Sequence, residues 1–152
     1  MKRLVQLAFV LSVLFFAATS FAQPQFFLGS AGGSGISSAG ILPTAGLQFG
    51  SYNFADSIGG RVALEATPSL DFALFQFLAD GLYVSGDTIK FYAGPGLGLV
   101  TAPGLTNAFI LGTIGVDFDA HTTVSYFLEA QPRYYLGGQP ILYIRSGVNV
   151  HF

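Results

Sequence analysis

Apolar and polar residues alternate along most of the chain after residue 22. The final segment carries apolar residues at alternate positions, namely Leu142, Ile144, Val148, Val150 and Phe152. The positions between them hold polar, aromatic or small residues, namely Tyr143, Arg145, Gly147, Asn149 and His151. Successive side chains of a β-strand point to opposite faces, so this period of two predicts strands with one apolar and one polar face.

The same division recurs in the segments upstream, where the charged residues share one face. Glu129 and Arg133 alternate with apolar residues, and Arg61 and Glu65 do the same in an earlier segment. Residues 71–84 are the exception, because both sets of alternate positions are apolar. The pattern therefore predicts the facing of most strands but leaves the facing of this segment open.

Turn-forming residues divide the chain after residue 22 into eight segments. We predict strands at residues 25–32, 40–50, 58–67, 70–84, 88–100, 106–118, 122–135 and 141–152. The predicted connections are 33–38, 51–57, 67–69, 85–87, 102–104, 119–121 and 136–140. Pro43, Pro95 and Pro132 fall inside predicted strands, where proline cannot donate a ladder hydrogen bond, so we expect bulges or strand ends there.

Segment length and composition favour a membrane-spanning sheet. Most predicted strands have about 10 to 14 residues, close to the roughly 9 to 11 that a tilted strand needs to cross a bilayer. The chain is 51% hydrophobic and only 9% charged, against about 25% charged residues in typical globular domains. In hydrocarbon every backbone amide must be paired, which requires a closed sheet. The predicted fold is an all-β, closed antiparallel up-and-down transmembrane β-barrel of about eight strands.

The first residues read as an export signal. Lys2 and Arg3 precede an apolar run over residues 4–18, and Ser20-Phe21-Ala22 places small residues where a signal peptidase cleaves. The run is shorter than the about 20 apolar residues of a membrane-spanning helix. We predict a cleaved signal peptide at residues 1–22 and a barrel domain at residues 23–152.

The mature chain is acidic. Residues 23–152 contain four basic and eight acidic residues, which gives a formal charge of 4 − 8 = −4. A protein of this charge is not expected to bind nucleic acid. The chain also contains no cysteine, so disulfides do not stabilise it.

The charged residues of the predicted strands fall on the face assigned to the barrel interior. They are Arg61, Glu65, Lys90, Asp117, Glu129, Arg133 and Arg145. A lumen about one side chain wide tolerates charges only when they are paired, so we expect Glu65 and Glu129 to meet Arg61, Arg133 or Arg145. The alternative is a narrow polar path in which these pairs exchange partners, and it requires the same residues.

Candidate chemistry is sparse. His121 and His151 are the only histidines, and the sequence places no acidic cluster or third ligand beside them, so neither a metal site nor a catalytic centre is expected. The glycine-rich stretch 29–35 lacks the lysine and the following helix of a phosphate-binding loop and is expected to be a flexible loop. No cofactor and no enzymatic activity are predicted.

Three features together resemble the small outer-membrane barrel proteins of the OmpA and OmpX type. They are the signal peptide, the glycine-rich strand around residues 91–98 and the closing segment 147–152. The resemblance implies a bacterial outer-membrane location, contact with outer-membrane lipid, and both termini on the periplasmic side. It also implies that Val148, Val150 and Phe152 form the C-terminal signal read by the barrel assembly machinery. The loops are shorter and poorer in charge than is usual in that family.

The expected function is a structural or interaction role in the outer membrane, with a filled lumen. One alternative is a porin-like narrow pore or transport channel for small solutes or apolar molecules. Another is a secreted, soluble, lipocalin-like barrel with its apolar residues turned inward around a ligand. The sequence leaves the ligand, the physiological partner and the oligomeric state open.

Overall fold

The computed structural model describes residues 25–38, 40–68 and 73–152. Eight strands form one closed antiparallel barrel in the order of the chain. They are β1 (Phe26–Ser37), β2 (Gly40–Ala55), β3 (Ile58–Pro68), β4 (Ala73–Ser85), β5 (Ile89–Ala102), β6 (Leu105–His121), β7 (Val124–Tyr135) and β8 (Pro140–His151). The predicted fold class is confirmed. The predicted signal peptide lies outside the described residues, which include no helix long and apolar enough to cross a membrane.

Closure depends on the first and last strands. Strand β1 pairs with β2 from Phe26 to Ser37 and with β8 from Phe27 to Ile36. Every strand therefore has two neighbours, and the barrel has no unpaired edge. The three short turns after β2, β4 and β6 lie at the end that also holds both termini of the barrel, which we call the terminal end.

The two faces of the strands have opposite character. Large apolar side chains point outward, and those of Ile114 and Ile41 are each 70% exposed. Charged side chains point inward, and that of Arg133 is fully buried. This arrangement inverts the pattern of a soluble protein and agrees with the facing predicted from the alternation.

Strand β4 contains the segment whose facing the sequence left open. Its even-numbered residues from Gln76 to Val84 are buried and its odd-numbered residues are exposed. The pattern was obscured because part of the interior is itself apolar. Leu82 and Val84 belong to an internal cluster with Phe27, Tyr52 and Tyr92, and Leu78 belongs to a second cluster around Phe109.

The turns predicted at 33–38, 51–57 and 119–121 lie largely within strands. Strand β1 continues to Ser37, because residues 33–37 pair with β2 and residues 33–36 also pair with β8. The glycine-rich stretch 29–35 is therefore strand and not a flexible loop. Strand β2 continues through an irregular register to Ala55, and β6 continues to His121. Small and polar residues resemble turns in composition, but inter-strand pairing extends these strands.

The prolines occupy places where pairing on one side is interrupted. The β6–β7 pairing passes from Leu111–Arg133 to Ile114–Ala130 and so skips Pro132, while Pro132 remains opposite Leu142 of β8. The β4–β5 pairing likewise skips Pro95 without changing register. Pro43 lies before the first paired residue of the β2–β3 ladder. The bulges expected at Pro95 and Pro132 are therefore wrong, since a local gap accommodates the missing N–H.

Inward glycines make room for large interior side chains. A Cβ added to Gly115 would overlap the ring of Tyr92, which is almost fully buried and donates a hydrogen bond to Glu129. A Cβ added to Gly112 of the same strand would meet only Pro132 Cγ, at 3.8 Å. Gly115 lies on the inner face and Gly112 on the outer face, so the two glycines of this strand differ in free space.

Gly115→Ala is expected to lower the free energy of unfolding by about 1–3 kcal/mol, because overpacking forces Tyr92 from its position. Gly112→Ala, the control in the same strand, is expected to change it by no more than about 0.5 kcal/mol. Urea unfolding in detergent micelles measures both values. Equal effects of the two substitutions would contradict the packing of Tyr92 against Gly115.

Candidate functional site

Glu129 is the centre of a buried polar network that fills the lumen. Its carboxylate accepts hydrogen bonds from Arg61 Nη1 at 2.7 Å and from the Tyr92 hydroxyl at 2.9 Å. Arg145 Nη1 also donates to it. Glu129 lies on β7 and Arg145 on the neighbouring β8, whereas Arg61 and Tyr92 lie on β3 and β5, so these two contacts join distant parts of the wall through the interior.

Glu65 pairs with two guanidinium groups, one of which also binds Glu129. Its Oε2 lies 2.8 Å from Arg133 Nη1, and its Oε1 lies 2.7 Å from Arg145 Nε. Arg145 is thus shared between Glu65 and Glu129. The planar guanidinium has donors pointing in several directions, which suits it to bridging two carboxylates in a buried site.

Asp80 completes the network as a partner of Arg61. Arg61 Nε donates to Oδ1 at 3.1 Å, and Nη2 donates to Oδ2 at 2.6 Å. Thr113 adds a hydrogen bond from its hydroxyl to Oδ2 at 2.9 Å. Sequence analysis did not include Asp80 because its segment lacked a clear alternation. Gln76, four residues earlier and on the same face, was the available signal.

Amide and aromatic side chains contact the guanidinium group of Arg133. Arg133 donates to Gln76 Oε1 at 2.8 Å and to Gln131 Oε1 at 2.7 Å. Its guanidinium carbon lies 3.9 Å from the centroid of the Tyr143 ring. Buried charges persist only when they are paired and hydrogen-bonded in this way. The interior is therefore filled by side chains that hold one another in place.

Five of the residues predicted for the lumen network lie in it, namely Arg61, Glu65, Glu129, Arg133 and Arg145. Lys90 lies outside it, since its ammonium pairs with Asp119 at 2.6 Å near the terminal end, where both side chains are partly exposed. Its flexible stem lets the charge reach water. Asp117 is buried but accepts hydrogen bonds only from uncharged groups, on Tyr52, Ser125 and Asn149.

The residues predicted as the C-terminal assembly signal lie on or beside the outer face. Val150 is 50% exposed and Phe152 is 69% exposed, while Val148 is partly buried. Val148 and Val150 lie opposite Ser30 and Leu28 of β1, at the seam that closes the barrel. Together they form an apolar strip that is accessible from the outside of the barrel.

The terminal end brings acids next to a histidine. One ligand atom from each of Asp117, Asp119 and His151 lies within 4.8 Å of the other two. The sequence expectation that no acids accompany His151 is therefore wrong, because pairing of β6 with β7 and of β7 with β8 joins residues far apart in the chain. His121 lies apart, exposed and in contact with Thr122 and Thr123.

Comparison with known proteins supports the fold and gives no closer relationship. No protein-family model matches the sequence, and no curated protein matches it. The fold matches the N-terminal β-barrel domain of Pseudomonas aeruginosa OprF, with a TM-score of 0.71 and 13% identity over 86% of this chain and 98% of that one. It also matches Neisserial surface protein A, with a TM-score of 0.60 and 21% identity over 84% and 96% of the two chains.

A third match is the Yersinia pestis outer membrane protein Ail in a phospholipid bilayer nanodisc. Its TM-score is 0.56 and its identity is 13%, over 86% of this chain and all of that one. All three similarities cover nearly the whole of the known barrel, so the likeness extends over its full set of strands. The chain has the fold of the small eight-stranded outer-membrane barrels, as the resemblance in sequence predicted.

Proposed function

We infer that this chain is an integral barrel of a bacterial outer membrane, with a structural or interaction role and a lumen closed to solutes. The observation that carries the inference is the buried network of Arg61, Arg133 and Arg145 with Glu65, Asp80 and Glu129. The network joins β3, β4, β7 and β8 through the interior. A solute would have to break several buried ion pairs in order to pass.

The outer surface supports a membrane location. Every strand presents large apolar side chains outward, among them Leu47, Phe77, Leu97, Ile110 and Ile144. Such a surface is far more apolar than a soluble protein tolerates. The alternative of a lipocalin-like soluble binder requires the reverse, an apolar interior around a ligand, and is not favoured by the charged interior.

Export and assembly belong to the same proposal. A signal peptide at residues 1–22 would be cleaved after Ala22. The apolar strip formed by Val148, Val150 and Phe152 would be read by the barrel assembly machinery. The terminal end would face the periplasm. These steps supply a route to the membrane for a chain whose outer face is solvated by lipid.

The proposal does not include catalysis. Ser125 Oγ and His151 Nε2 lie 2.8 Å apart, as in a nucleophile and its base. However, Ser125 is fully buried and its hydroxyl also donates to Asp117. The hydroxyl is therefore occupied and does not face a substrate.

Conductance across a planar bilayer tests whether the lumen is closed. The folded protein is expected to insert without producing steady unitary currents, since ion pairs occupy the lumen. Flotation of the protein with lipid vesicles serves as the control for insertion. Reproducible unitary conductance of the wild-type protein would contradict the closed lumen and favour the narrow pore, in which the ion pairs exchange partners.

A further inference from the structure

The terminal end of the barrel contains an acidic cleft. Its volume is about 480 Å³, and its wall includes Asp56, Asp87, Lys90, Asp119 and His151. Three carboxylates and one ammonium thus face the cleft. The local formal charge is negative and attracts cations toward the terminal end.

Three potential metal ligands meet at this end. Asp117 and Asp119 lie on β6, and His151 is the last residue of β8. Their ligand atoms lie within 4.8 Å of one another. This spacing brings two carboxylate oxygens and one imidazole nitrogen close enough to share a single ion after small side-chain movements.

Asp117 has an oxygen without a hydrogen-bond partner. Its Oδ2 accepts hydrogen bonds from Tyr52 at 3.1 Å, Ser125 at 2.9 Å and Asn149 at 2.9 Å. Its Oδ1 is buried and accepts none. Almost all buried polar atoms in proteins have a partner, so this carboxylate oxygen is available to bind a cation.

The Ser125 hydroxyl contacts one ring nitrogen of His151 and so bears on the tautomer of the imidazole. The Ser125 hydroxyl donates its one hydrogen to Asp117 Oδ2, so it can only accept at its contact with His151 Nε2, 2.8 Å away. In the tautomer that matches this contact, Nε2 carries the proton and the lone pair of Nδ1 is the one that a metal would bind. Orientation of a ligating histidine by a hydrogen bond at its other nitrogen is typical of metal sites.

We propose that Asp117, Asp119 and His151 bind one divalent transition-metal ion at the terminal end of the barrel. A set of one imidazole and two carboxylates suits Zn²⁺, with water at the remaining position. Lys90 now pairs with Asp119 at 2.6 Å. Lys90 and the metal therefore compete for the same carboxylate, and removal of the lysine strengthens metal binding.

Titration of the metal-free folded protein in detergent micelles with Zn²⁺ tests the site. Calorimetry measures affinity and stoichiometry, and Co²⁺ absorption spectra report the ligand set. The wild-type protein is expected to bind one equivalent. Asp117→Asn lowers the affinity at least about tenfold, whereas Lys90→Met raises it. His121→Ala, which changes a histidine outside the cluster and outside the cleft, leaves it unchanged within about twofold.

Three results would overturn the proposal. They are the absence of saturable binding by the wild-type protein, equal affinity of Asp117→Asn and wild type, and loss of binding in His121→Ala. Gel migration of unboiled samples shows whether each variant is folded. If Asp117→Asn does not fold, His151→Asn replaces it, and an unchanged Co²⁺ spectrum in that variant would also overturn the proposal.

Discussion

Replacing Glu129 with alanine is expected to lower the free energy of unfolding by about 3–5 kcal/mol, the cost of breaking a buried ion pair by removing one partner. Glu129 binds Arg61, Arg145 and Tyr92. Its removal leaves two guanidinium groups with too few acceptors in an interior that excludes water. The loss therefore comes mainly from the uncompensated cations.

Urea unfolding in lipid vesicles, with a metal chelator present, measures this loss. Lys90→Met is the matched control, because it also breaks an ion pair but at the partly exposed terminal end. Exposed pairs contribute less than about 1 kcal/mol. A loss of only that size in Glu129→Ala would show that the central network does not stabilise the barrel.

Ile114→Arg is expected to destabilise the membrane-embedded barrel by about 2–4 kcal/mol, because an arginine on the lipid face is most costly near the bilayer midplane. Ile114 lies near the middle of β6, and its side chain is 70% exposed. In water the same substitution on an exposed strand position would have little effect.

Ile58→Arg is the matched control for depth. Ile58 begins β3 at the terminal end and is 58% exposed, so its substitute can reach the interface at a cost of about 0–1 kcal/mol. Unfolding in bilayers measures both variants. Equal costs at the two positions would contradict a membrane that surrounds the middle of the barrel.

The fold could be predicted from the sequence because a period of two shows which face of the sheet each side chain points to. In β7 and β8 the interior positions hold mostly charged, polar, aromatic or small residues, and the outer positions hold mostly apolar ones. Strand β4 could not be assigned, since its interior positions include Leu78 and Leu82, which pack in apolar clusters inside the barrel. The alternation disappears where lumen and lipid both favour apolar side chains.

The composition of the lumen network could be predicted more fully than its pairing. Arg145 lies opposite Glu129 across adjacent strands, and Arg61 lies opposite Asp80. The contact of Arg145 with Glu65 joins β8 to β3, which are not neighbours. Such a contact depends on the relative stagger of all the strands between them, which a single sequence does not reveal.

The proximity of Asp117 and Asp119 to His151 could not be predicted either, because it also joins strands that are not neighbours. Asp117 and Asp119 are separated from His151 by the whole of β7. The sequence placed Asp119 in a turn, whereas pairing with Ser125 keeps it in β6. Both acids are therefore held at the height of the barrel where β8 ends.

Fractionation of cells that express the full chain, followed by gel migration of boiled and unboiled samples, tests the membrane barrel most directly. A closed membrane barrel is expected in the outer-membrane fraction, with an N-terminus at Gln23 and an unboiled band that migrates differently from the boiled one. Recovery as a soluble periplasmic protein without a shift on boiling would contradict it and favour the secreted ligand binder.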